Sequence, residues 1–94
     1  MVVVFSNLQG KRVATQVESI EEGEYKEETI LKLHLFNGQT RYLRFYLGVN
    51  VDTLLDDLFH NLGEGEPAIN TLKHAKEFDI NKESCQEVLQ RYKN

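Results

Sequence analysis

Thr29-Ile-Leu-Lys-Leu-His-Leu-Phe-Asn-Gly-Gln-Thr-Arg-Tyr-Leu-Arg-Phe-Tyr-Leu47 reads as two strands folded about one turn. Leu31, Leu33 and Leu35 alternate with Lys32 and His34, and Leu43, Phe45 and Leu47 alternate with Tyr42, Arg44 and Tyr46. That two-residue period belongs to a strand with one buried face. Asn37-Gly38 marks the turn. A two-residue turn would pair Leu33 with Tyr42 and Leu31 with Arg44, which splits the apolar residues between the two faces. A three-residue loop over residues 36–38 pairs Leu31 with Leu43 and Lys32 with Tyr42, so every leucine shares one face. Gly38 then supplies the left-handed backbone that such a loop needs.

Upstream, Val2–Phe5 is a continuous apolar run and reads as a strand. Asn7–Gly10 is a turn. Arg12–Ile20 is a second strand with Val13, Thr15 and Val17 on one face. The acidic stretch Glu21–Glu28, with Gly23, reads as a solvated loop or the frayed ends of a hairpin. Downstream, Gly48 ends the second hairpin and Asn50 or Asp52 caps a helix to about Leu62, with Leu54, Leu55, Leu58, Phe59 and Leu62 as its apolar stripe. Pro67 opens a second helix whose inner side is Ile69, Leu72 and Ala75 or Lys76, and Asn81 caps a third with Cys85, Val88, Leu89 and Tyr92 inward. The expected fold is therefore a single α+β domain over residues 1–94. A four-stranded antiparallel sheet of two hairpins fills residues 1–48. Two to three helices in residues 50–94 pack on one of its faces.

The 94 residues carry a net charge of −4, unevenly spread. Glu18, Glu21, Glu22, Glu24, Glu27 and Glu28 cluster around Lys26, whereas residues 29–50 hold only Lys32, Arg41 and Arg44. This mixture argues against bulk capture of nucleic acid, which needs a basic face. No apolar run approaches the ~20 residues of a membrane helix. The start lacks a basic leader. The single cysteine, Cys85, cannot form an intrachain disulfide, which points to a reducing, cytoplasmic setting.

Three constellations are candidates for function. Lys32, His34, Tyr42, Arg44 and Tyr46 fall on the outer side of the 29–47 hairpin, where basic and aromatic groups fit a partner-binding face, a stacking platform for nucleic acid or an ordinary solvated surface. Residues 71–90 resemble a helix-turn-helix, with Ala75 inside the first helix and Ile80 after the turn, although Asp79 stands where such motifs usually carry glycine. The resemblance implies that Lys82, Ser84 and Gln86 lie near the groove-facing end of the second helix, beside Glu83. Residues 18–28 and the outer side of the first helix form an acidic surface that fits a basic partner or plain solvation. Nothing points to catalysis or to a cofactor. His34, His60 and His74 sit on different elements, and there is no P-loop, GxGxxG or CxxC.

The expected function is a non-enzymatic regulatory or adaptor module that binds another protein, with a nucleic-acid-binding regulator as the alternative. A homodimer through the sheet is expected, because a simple meander places Val2–Phe5 at the sheet edge, where an exposed apolar strand invites pairing, and Tyr42 and Tyr46 add a second apolar contact; the other solution places that strand inside the sheet.

Overall fold

The computed structural model describes residues 1–65 and 68–81. In chain order the elements are β1 (Val2–Ser6), β2 (Arg12–Gln16), β3 (Ser19–Tyr25), β4 (Glu28–His34), β5 (Thr40–Phe45), α1 (Val51–Gly63) and β6 (Ile69–Phe78). The strands form one mixed sheet in the order β2-β1-β6-β5-β4-β3, in which β1 and β6 are parallel and every other pair is antiparallel. The β4–β5 register is that of the three-residue loop. Leu31 faces Leu43, Lys32 faces Tyr42, and Gly38 has φ +84°.

The two outer strands are consecutive in the chain, joined only by Val17 and Glu18. The Val17 amide donates to Met1 O at 2.8 Å, and the Glu18 amide donates to His34 O at 2.8 Å. One dipeptide thus passes from the start of β1 to the end of β4, so the sheet curls back on itself. Its inner side holds Val3, Phe5, Val17, Leu31, Leu33, Leu43, Phe45 and Ala75, all buried, and α1 adds Leu55 and Leu58 to that core. The helix forms where its capping residue and stripe require. Asn50 accepts a hydrogen bond from the Thr53 amide at 3.2 Å, and Leu54, Phe59 and Leu62 pack beside the two buried leucines.

Three expectations need correction. The sheet has six strands and is mixed rather than four-stranded and antiparallel. Among the described residues α1 is the single helix, so the helical part does not fill residues 50–94. The expected helix after Pro67 is the strand β6, which removes the first helix of the helix-turn-helix resemblance; Lys82, Ser84 and Gln86 of its second helix lie outside the described residues. The physical reason is a bulge. Val4 pairs with Thr71 and Ser6 with Lys76, so β1 advances two residues while β6 advances five. The side chains on the core side of β6 are therefore Asn70, Leu72, Ala75 and Glu77, and the step from 72 to 75 imitates a helical period. Leu, Lys, Ala and Glu favour helix on their own. The open ladders of β1 and β5 override that preference.

The acidic stretch is likewise a strand. Ser19–Tyr25 pairs residue by residue with Glu28–His34 about the two-residue turn Lys26-Glu27. Both turn residues have positive φ, +49° and +66°, as a type I′ turn demands. Since L-residues resist that region, replacing Lys26-Glu27 with Asn-Gly is expected to stabilise the fold by about 1 kcal/mol. A urea-melt midpoint that does not rise would show that the pair is not held left-handed.

Finally, β1 lies between β2 and β6, with Val3 fully buried and Phe5 nearly so. Its apolar run is satisfied inside the sheet, which is the second of the two solutions and removes the edge-strand argument for a dimer. Leu47, expected inward, lies past the end of β5 and is exposed.

Candidate functional site: a groove between the helix and the bulged strand

Register brings four of the five predicted sheet-face residues together. Tyr42 stands between Lys32 on β4 and Phe78 on β6, Arg44 between Ile30 and Lys76, and His34 opposite Thr40. The surface they make is more enclosed than the sequence suggests. Arg44 is buried, and its Nε and Nη2 donate to the two Glu28 carboxylate oxygens at 3.3 and 3.0 Å. Its guanidinium also lies 5.1 Å from the Phe78 ring centre and 5.9 Å from that of Tyr25. Phe78 is buried and takes Tyr25 at 5.3 Å and Tyr42 at 6.4 Å. These rings spend their faces on one another and on Arg44, whereas a base-stacking platform needs them open. Lys32 lays its stem across Gly23, where an added Cβ would come within 2.6 Å of Cε. Tyr46 is set apart, lining a depression with Glu28, Phe45, Leu47 and Val51.

His34 has a carboxylate on one side and a hydroxyl on the other. Nε2 is 3.0 Å from Glu21 Oε1, and Nδ1 is 3.3 Å from Thr40 Oγ1. The order hydroxyl, imidazole, carboxylate is that of an activated nucleophile. Here it lies on an open sheet face, with half-exposed His34 and exposed Glu21. It ties β3, β4 and β5 together across the ladder. Among the described residues no three His, Cys, Asp or Glu side chains gather as a metal site, and no helix is long and apolar enough to cross a membrane.

A second concave feature lies elsewhere. A cavity of about 310 Å³ runs between α1 and β6. Its apolar lining comes from Leu31 and Phe45 on the sheet, Leu54, Leu55 and Leu58 on the helix, and Leu72 and Ala75 on the strand. Asp57 and Asn61 stand on the helix wall, and Lys73 and His74 on the strand wall. The bulge builds that second wall. Leu72 and Lys73 have no register partner on β1 or β5, and His74 is held by its carbonyl, which accepts from the Tyr46 amide at 2.9 Å. A bulge re-aims side chains and interrupts the ladder, and here the interrupted stretch is the one that lines the groove. A groove of this size, mostly apolar with a few polar groups on its rim, is the general form of a binding site.

Sequence reasoning missed this groove because its walls are distant in the chain and one was assigned to a helix. The three-residue step from Leu72 to Ala75 within an otherwise two-residue pattern is the trace that the bulge leaves in the sequence. No known protein family matches this chain, and neither a curated protein nor a solved structure does.

Proposed function

We propose that the chain is a non-enzymatic protein-binding module, working in the cytoplasm, that seats an apolar anchor of a partner protein in the groove between α1 and β6. One observation carries this reading. The groove exposes the edge of the core itself, through Leu54, Leu72 and the buried Leu55, Leu58 and Ala75, between two polar walls. Filling it removes apolar surface from water, at roughly 25 cal/mol per Å². The hydroxyl–imidazole–carboxylate row does not line this groove, so it lends the groove no reactive group. The nucleic-acid alternative draws no support from Arg44, which is buried against Glu28.

The test is selection of short peptides from a displayed random library, followed by mapping of backbone amide shifts. Selected peptides are expected to share an apolar anchor and to shift residues of α1 and of 70–75. Asn61 is exposed on the rim, so Asn61→Trp should obstruct the groove, weakening those peptides at least tenfold while the melting temperature stays within about 2 °C. Shifts confined to other surfaces would overturn the proposal, as would a library that yields no binder.

A further inference from the structure

Helix α1 carries Asp52, Asp56 and Asp57, all exposed, and neither lysine nor arginine. Asp57 is the member of that row that lines the groove. Across from it, on the bulge of β6, Lys73 lines the same groove and is also exposed. Among the described residues neither Asp57 nor Lys73 has an ion-pair partner within 4 Å, although the two line one cavity with opposite charges. Leu54 and Leu58 on the helix side and Leu72 and Ala75 on the strand side supply the apolar lining between them. Charge is thus divided across the groove, acidic along the helix and basic along the strand, with an apolar floor between.

We infer that the groove selects an amphoteric segment of a partner protein. Its apolar anchor sits on the leucine floor, a basic side chain on one flank meets Asp57, and an acidic side chain on the other meets Lys73. This rests on the groove being the binding site and adds which partner it takes. A segment with both flanks basic gains at the helix wall and is repelled at the strand wall. One with both flanks acidic does the reverse. Only a segment carrying both signs satisfies the two walls at once, and turning it end for end would set its basic flank against Lys73, so the order of its charges fixes its chain direction. Charge matching of this kind sets specificity more than affinity.

Four synthetic peptides test the inference. They share one leucine-containing core, and their flanks are one lysine and one glutamate, two lysines, two glutamates, or two glutamines. Titrated into the protein at low salt and followed by amide shifts, the lysine–glutamate peptide is expected to bind about threefold to tenfold more tightly than the glutamine peptide, with the advantage falling as salt is raised. The single-sign peptides should match or fall below the glutamine peptide. Asp57→Lys makes both walls basic and should move the preference to the two-glutamate peptide. Lys73→Glu should move it to the two-lysine peptide. Both positions are exposed, so melting temperatures should hold. Four equal affinities, or a preference unmoved by the two charge reversals, would overturn the amphoteric assignment while leaving the groove as the binding site. Failure of all four peptides to shift any groove residue would remove the groove reading and this inference with it.

Discussion

Val3→Lys is expected to abolish folding, and Val4→Lys, one residue on, is expected to leave a folded protein. Val3 is fully buried on the inner side of β1, beside Phe5 in the core. A lysine there places an ammonium in the apolar core with Leu31, Leu33 and Leu43, at a cost of several kcal/mol even after relaxation. A domain of this length holds only ~5–14 kcal/mol in total, and lost packing adds to the charge term. Because β1 has a neighbour on each side, no hinge or frayed edge can carry the new side chain outward. Val4 faces the other side and is partly exposed, so its lysine can reach water along its own stem. The expected loss there is about 1 kcal/mol. Circular dichroism and urea melts separate the two outcomes. Similar melts for both variants would mean that β1 is not an interior strand.

That contrast also shows what the sequence made legible. The apolar run Val2–Phe5 marks a strand that is not left at an open edge, and it leaves open whether its neighbour is a partner chain or another strand of the same sheet. The missing neighbour was β6, hidden because its bulge spaces Leu72 and Ala75 three apart and because its residues favour helix. The β4–β5 hairpin and α1 were legible for the opposite reason. In each, the local preference, the apolar period and the turn or cap residue agree, as at Asn37-Gly38 and at Asn50. β3 was hidden by its turn, since Lys26-Glu27 takes a left-handed geometry with neither glycine nor asparagine to announce it. For the outer sheet face, alternation placed Lys32, His34, Tyr42 and Arg44 on one side. It carried no information on Arg44 being buried, which depends on Glu28 and Phe78 arriving from two other strands.

The second large effect concerns an ion pair on the inner side of the sheet. Arg41 donates from Nε and Nη2 to the two Glu77 oxygens at 2.7 and 2.6 Å, a two-pronged contact that joins β5 to β6. The partners are unequally exposed, 31% for the arginine side chain and 7% for the glutamate. Removing one therefore does not mirror removing the other. Arg41→Met keeps an aliphatic stem near the Phe5 ring, over which the guanidinium sits at 5.3 Å, and strands the Glu77 carboxylate in a nearly dry site. The expected loss is about 3–5 kcal/mol. Glu77→Gln leaves a neutral amide of the same shape, and Arg41 can swing toward water, so about 1–2 kcal/mol should be lost. The double variant Arg41→Met, Glu77→Met removes both charges together and fills the space with apolar atoms. It should be more stable than Arg41→Met alone, because the isolated carboxylate is the costly species and the pair itself adds little net stability. Urea melts of the three variants decide the matter. If the double variant melts below Arg41→Met, the isolated carboxylate is not the costly species, and Glu77 holds β6 through contacts other than Arg41.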